Sequence, residues 1–205
     1  SSLVISGNIS GSAAVGQTTV LYLRGAGNEL MNQNLISGAI SDGSNGGALM
    51  VVKSGTTNLW VLGGANTFSG GVSIQQGVLV AAHDNALGSG AITQSAGAGL
   101  ALLGNVNITG KNITLGGSTS STMGSLDNLG GTNTWGGDIS CASAGPRINV
   151  MTGKLIINGN ITLNHISGNT TLGGFGLGEI HGVISGAANK TLYRSSTDSG
   201  TWVLC

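Results

Sequence analysis

The stretch Leu62-Gly63-Gly64-Ala65-Asn66-Thr67-Phe68-Ser69-Gly70-Gly71-Val72-Ser73-Ile74-Gln75-Gln76-Gly77-Val78-Leu79-Val80, followed shortly by Asn85-Ala86-Leu87-Gly88-Ser89-Gly90, decides how the chain folds. Turns rich in Gly and Asn alternate there with short runs of Val, Ile and Leu, the residue types that favour turns and strands respectively. That rhythm predicts a chain winding as a coil of small strands. The run Leu155-Ile156-Ile157-Asn158-Gly159-Asn160-Ile161-Thr162-Leu163 repeats the pattern. Its odd positions are apolar or Gly, and Asn158, Asn160 and Thr162 lie between them, so one face is expected inward and the other outward. Gly77 and Gly159 interrupt their runs where a coil would bend from one face to the next. Pro146, the only proline, marks a loop between rungs.

The same segment resembles the passenger-associated repeat of bacterial autotransporters, which reads L-x-G-x-N-T-Y-x-G-G, then I-x-x-G-x-L, then A-L-G-S-G. The residues that carry the likeness are Asn66, Thr67, Phe68, Gly70, Gly71, Gly77, Leu87, Gly88 and Gly90. Phe68 stands where the family usually has Tyr, which keeps the aromatic ring. The match covers roughly residues 48 to 103, and only the rhythm extends beyond it. The resemblance implies a right-handed parallel β-helix that is secreted by, or displayed on, a bacterial cell. It implies no catalytic residue.

Composition narrows the function classes. Gly, Asn, Ser and Thr supply 101 of the 205 residues, while Asp, Glu, Lys and Arg supply 14, too few for a solvated helical surface. Disorder is the poorer reading, because 40% of the chain is apolar and much of it falls in short alternating runs able to bury surface. Net charge is zero, and Lys53, Lys111, Arg147, Lys154 and Lys190 are scattered singly. Nucleic-acid binding needs a basic stripe and is not expected. No apolar run approaches the length of a membrane-spanning helix. Ser1 to Ile5 has neither the basic region nor the apolar core of a leader, so a mature or trimmed form is expected.

Internal similarity supports a solenoid. Ile36-Ser37-Gly38-Ala39-Ile40, leading to Asn58-Leu59-Trp60-Val61-Leu62, is echoed by Ile180-His181-Gly182-Val183-Ile184, leading to Gly200-Thr201-Trp202-Val203-Leu204. Likewise Leu3 to Ser10 echoes Leu155 to Thr162. The expectation is one all-β domain over residues 1–205, a right-handed β-solenoid of about nine or ten coils of roughly 20 residues, uncapped at both ends. A superunit of about 145 to 150 residues would begin again near residues 145–155. Open strand edges at both ends would then seek copies of the chain, head to tail. Leu3, Ile5, Trp202, Leu204, Cys141 and Cys205 are the candidate intermolecular contacts. The two cysteines are about three coils apart, roughly 14 Å at the usual rung spacing, too far for an internal disulfide.

Chemistry finds little support. The acids Glu29, Asp42, Asp84, Asp127, Asp138, Glu179 and Asp198 are mostly far apart in sequence and mostly beside Gly or Asn, where Asp is a turn residue. His83, His165 and His181 have no metal-ligand spacing, and Glu179 with His181 reads as a surface ion pair. No serine sits in a nucleophile elbow. Gly136-Gly137-Asp138 is one lone approach to a calcium-roll repeat and reads as a turn. Trp60 and Trp202 occupy equivalent places in the repeat and are expected to pack along the stack. Asn side chains, stacked rung on rung, are expected to form amide ladders. No catalytic residue, cofactor or metal is expected. The leading expectation is an extracellular structural solenoid that assembles end to end into a fibre or matrix layer. The alternative is an adhesin or stalk segment of a larger autotransporter-like protein, touching extracellular matrix or a host surface.

Overall fold

The computed structural model describes residues 2–25, 33–56, 59–118 and 123–205. Among them the secondary structure is entirely β, in short strands of two to six residues with no helix. The chain divides into two compact units, Ser1–Thr93 and Gln94–Cys205. The first contains β1 (Val4–Ile5), β2 (Ile9–Ser10), β3 (Thr18–Leu23), β4 (Asn34–Ile36) and β5 (Ile40–Ser41). It continues with β6 (Ala48–Lys53), β7 (Leu59–Leu62), β8 (Val72–Ile74) and β9 (Val78–Ala81), and β10 (Ile92–Gln94) leads out of it. Parallel pairing stacks these as β1–β4–β7–β9, β2–β5 and β3–β6–β8.

The second unit is more regular. Its strands are β11 (Gly99–Leu103), β12 (Asn107–Ile108), β13 (Ile113–Thr114), β14 (Leu126–Gly130), β15 (Thr132–Trp135), β16 (Ile139–Cys141) and β17 (Arg147–Val150). Then come β18 (Lys154–Ile157), β19 (Ile161–Leu163), β20 (Thr170–Gly174), β21 (Leu177–Ile180), β22 (Ile184–Gly186), β23 (Leu192–Arg194) and β24 (Thr201–Leu204). Every third strand pairs in parallel, giving β11–β14–β17–β20–β23, β12–β15–β18–β21–β24 and β13–β16–β19–β22. Three stacked faces and parallel pairing make a β-solenoid, as the strand rhythm predicts. It has about seven turns, fewer than the nine or ten expected. The 20-residue coil holds near the Asn66 motif, where a contact to Ala86 spans 20 residues, but others span 26 at Asn112–Asp138 and 31 at Asn8–Ala39.

Alternation sets the core. Leu155, Ile157 and Ile161 are fully buried and Leu163 nearly so, and the intervening Asn158, Asn160 and Thr162 face solvent. Like stacks on like: Ile113, Ile139, Ile161 and Ile184 form one row of directly paired residues. Each fully buried isoleucine contributes roughly 1.5–3 kcal/mol from apolar surface removed from water. In the first unit, Ile5, Ile36, Leu62 and Ala81 form the corresponding row on another face.

One expectation is corrected. Trp60 lies in β7 and pairs with Asn34 and Leu79, whereas Trp202 lies in β24 against Gly178, in a sheet made only of second-unit strands. The two tryptophans therefore do not occupy equivalent places. What the two copies of the repeat share is the local step strand, glycine corner, strand: β4 to β5 in one and β21 to β22 in the other.

Candidate functional site

The recurring feature of the surface is that glycine corner. The tetrads Gly7-Asn8-Ile9-Ser10 and Gly38-Ala39-Ile40-Ser41 lie in the first unit. Gly137-Asp138-Ile139-Ser140, Gly159-Asn160-Ile161-Thr162 and Gly182-Val183-Ile184-Ser185 lie in the second. At four of the five, all but Gly7, the coils approach so closely that the place of a glycine Cβ is filled by a backbone carbonyl of the preceding coil. Gly38 meets Gly7 O, Gly137 meets Lys111 O, Gly159 meets Gly137 O and Gly182 meets Gly159 O. Where the residue after the glycine is Asn8, Asp138 or Asn160, and at Asn112 after Lys111, its side chain supplies an amide or carboxylate oxygen that accepts the next coil's backbone N–H. Asn8 Oδ1 takes Ala39 N, Asn112 Oδ1 takes Asp138 N, Asp138 Oδ1 takes Asn160 N and Asn160 Oδ1 takes Val183 N, at 2.9 to 3.0 Å. The amide ladder expected from composition is thus a corner ladder, and Asp138 is one of its steps. The tetrad itself is a signal in the sequence, a Gly followed two residues on by Ile and then Ser or Thr.

The Asn66 motif forms a second close contact between coils. Buried Asn66 accepts from Ile40 N at 2.8 Å and donates to Ala86 O at 2.6 Å, and Thr67 N bonds Ile40 O. Phe68 is fully buried, and Ser89 N donates to its carbonyl. Gly88, at φ +61, lies where any side chain would strike the Phe68 ring. Leu87 is buried beside it. Gly70 sits against the Leu49 carbonyl, Gly90 against Gly71, and Gly77 turns the chain into β9 with φ +68. The two halves of the motif therefore lock one coil onto the next.

The candidate intermolecular residues separate into two groups. Leu3 and Leu204 are 51% and 63% exposed, Ile5 and Trp202 are half-buried, and Cys205 is exposed. All five lie in the first coil (β1 to β3) or the last (β22 to β24), whose strands are edge strands of their sheets. Trp202 bends its indole over Gly178 and donates Nε1–H to Gly173 O at 3.1 Å, closing part of the core beneath it. Cys141 is a correction: it is fully buried in β16, paired with Leu163, and burial pushes its thiol up to about 11. It cannot be a surface contact. Both cysteines are unbridged.

Titratable groups gather at one place that single-residue reading missed. Asp127, taken as a turn residue, is fully buried in β14. It accepts Gly124 N at 2.9 Å and Asn149 Nδ2 at 3.0 Å. Arg147 Nε donates to Asn149 Oδ1 at 2.6 Å, and the guanidinium pairs with Asp198, which also accepts Gly174 N at 2.8 Å. Burial pushes the Asp127 carboxyl up to about 7, against the Gly124 amide, Asn149 and the Arg147 charge. For Asp198, burial is outweighed by Gly174 N–H, Ser195, Arg147 and Thr197, and its carboxyl lies below the usual range. Two carboxyls driven apart in this way can serve as acid and base. Asp127, however, has no exposed surface and Asp198 is committed to Arg147, so the chain of bonds ties β14, β17 and β20 to the 195–200 segment.

The remaining polar candidates also serve the coil. Lys53, expected to be one of the scattered charges, is fully buried in the row Leu23–Lys53–Ile74. Its Nζ donates to Gly55 O and Gln76 O at 2.9 Å, and burial lowers it to about 8. Asp42 borders an open polar groove of about 460 Å³, yet it accepts Leu49 N and Ser69 N. Burial raises its carboxyl, those two amides together with the Ser69 side chain outweigh that, and the net shift is downward. Glu179 lies 3.3 Å from His181 Nε2, as expected, and 2.9 Å from Lys154, which sequence did not suggest. His165 is buried with both ring nitrogens lacking a protein partner, and His83 Nδ1 accepts Asn85 N. Glu29 lies outside the described residues. Among the described residues no three His, Cys, Asp or Glu side chains gather as a metal site, and no helix is long and apolar enough to cross a membrane. No family model, curated protein or solved structure matches this chain.

Proposed function

We propose that the protein is a non-enzymatic structural β-solenoid that stacks end to end on copies of itself, forming a filament or a surface or matrix layer outside the cell. The observation that carries this reading is where apolar surface is left in water. Of eleven strongly exposed large apolar side chains among the described residues, nine lie on the edge coils. Leu3, Val4, Val15, Val20 and Tyr22 are on the first, and Val183, Tyr193, Val203 and Leu204 on the last. Covering such surface is favourable by roughly 25 cal/mol per Å². β3 adds an unpaired six-residue edge with no charge and no proline, the kind of edge that other proteins blunt. Neutral overall charge leaves little repulsion between copies. The extracellular and bacterial assignment rests on the resemblance of Asn66 to Gly90 alone.

A second reading, a stalk or adhesin segment of a larger autotransporter-like surface protein, is favoured by that same motif. Electron microscopy and sedimentation of the purified chain separate the two. Filaments that lengthen with concentration support the first, and short rods that stay monomeric at high concentration turn the assignment to the second. Turnover of a glycan substrate would overturn both.

A further inference from the structure

The corner ladder carries atoms that the fold does not use. Six Asn-x-Ser/Thr sequences occur in the chain, and three of them, Asn8-Ile9-Ser10, Asn112-Ile113-Thr114 and Asn160-Ile161-Thr162, fall at its corners. Each asparagine stands one residue before its strand and is exposed. Its Oδ1 accepts the next coil's backbone N–H, while its Nδ2 makes no hydrogen bond to any described residue. Asp138 fills the same step with a carboxylate, so the ladder needs the oxygen and not the amide nitrogen. Two residues on, Ser10, Thr114 and Thr162 are exposed, and their hydroxyls bond no described residue. Ile113 and Ile161 lie buried between, so alternation puts amide and hydroxyl on one outer face. Ile113 pairs with Ile139 and Ile139 with Ile161, which sets Asn112 and Asn160 in line, two rungs or roughly 10 Å apart.

Resting on the extracellular reading, we propose that Asn8, Asn112 and Asn160 are acceptors of N-linked sugar, each carrying a glycan on Nδ2. Asn-x-Ser/Thr is the acceptor sequence for that modification, whose product lies on the surface of secreted proteins. In the step, Nδ2 bonds to the anomeric carbon of a sugar activated as its diphosphate ester. The carbon–oxygen bond to the diphosphate breaks, the diphosphate leaves with the bonding pair, and Nδ2 gives up one proton. A transferase of the producing cell brings the donor and acts before the coils close, while the acceptor sequence is still free to turn. The product is still an amide, so Oδ1 remains an acceptor and the bonds from Ala39, Asp138 and Val183 N–H survive. With 14 charged residues among 205, the chain has little charge to hold the flanks of neighbouring solenoids apart. A column of sugars on one outer face supplies the bulk and hydration that charge does not.

The test is glycopeptide mass spectrometry on the whole chain recovered from the cells that make it. Peptides holding Asn8, Asn112 and Asn160 are expected to carry the added mass of a glycan, with fragments that place it on the asparagine. Thr162→Val, made in the same cells, removes the acceptor hydroxyl without touching the bond from Val183 N to Asn160 Oδ1. It should lose the sugar at Asn160 and keep the one at Asn112, and Thr162→Ser should retain both. Bare peptides at all three asparagines overturn the proposal, and so does sugar that stays on Asn160 in Thr162→Val. Filaments formed by a bare chain would strike the sugar alone and leave the structural reading standing. A glycosylated chain that stays monomeric would do the reverse. Bare chain found only inside the cell would remove the extracellular premise and the sugar together.

Discussion

Replacing Gly159 by alanine probes the corner ladder from inside the fold. The new Cβ would sit on the Gly137 carbonyl oxygen and 2.8 Å from Asp138 N, whereas real Cβ atoms stay beyond 3.0 Å. The coils must part by about 1 Å or more at that corner, since well-packed backbone has no slack to absorb the overlap. Three bonds cross the gap there: Asn158 N to Trp135 O at 2.9 Å, Ile139 N to Asn160 O at 2.8 Å and Asn160 N to Asp138 Oδ1 at 2.9 Å. A further 1 Å carries each past the range of a hydrogen bond. At about 1 kcal/mol each the loss is roughly 3 kcal/mol. Reduced freedom of the unfolded chain returns about 0.4–1 kcal/mol. The net destabilisation, roughly 2–3 kcal/mol, corresponds to a melting point lower by about 5–10 °C. Thermal melting followed by circular dichroism, with Gly7→Ala as the matched control, reads it directly. A Gly159→Ala protein that melts with the wild type would mean that the coils are not in contact at this corner.

Lys53 gives a pH signature. Its folded-state value, about 8, lies below the 10.5 of a solvated lysine, so the folded state releases the proton first and stability rises as pH climbs from about 8 to 10.5. Urea titrations across that window should show a gain of up to roughly 3 kcal/mol in the wild type and a flat profile in Lys53→Met. Asp127 acts in the opposite sense. Its folded value of about 7 exceeds the 3.8 of a solvated aspartate, so its contribution is full below pH 3.8 and is lost as pH rises through 7. Asp127→Asn should remove that slope, as melting points taken at half-unit pH steps would reveal. For the thiols, a maleimide or disulfide reagent should titrate one group per chain in the native state, Cys205, and two in denaturant, because Cys141 is buried and protonated.

Much of this architecture was legible because it depends on local alternation. Leu155, Ile157, Ile161 and Leu163 point inward for the same period-two reason that makes them readable; Gly77 lies at a bend with φ +68, and Gly159 lies at one where a Cβ would strike the Gly137 carbonyl. The coil count was not legible, since corner lengths vary and apolar periodicity says nothing about them. Trp60 and Trp202 misled for a related reason: a strand, a glycine corner and another strand look alike whichever sheet they join. The sequence neighbours of Asp127 point to a turn, and Lys53 stands in the sequence as one of several singly scattered charges. Their burial is set by segments more than twenty residues away, the Arg147–Asn149 strand and the Gln76 carbonyl, which no local window contains.

The corner ladder of the second unit also has a mechanical meaning. Ile113 N to Asp138 O, Ile139 N to Asn160 O and Ile161 N to Val183 O all run from one coil to the next. Tension applied along the stack therefore reaches these links in series, and none shares its load with a link on another level. The stack should yield one storey at a time, each rupture releasing one coil's length of chain, 22 to 26 residues at these corners, and leaving a fresh step of similar geometry for the broken end to settle back onto when the load is removed.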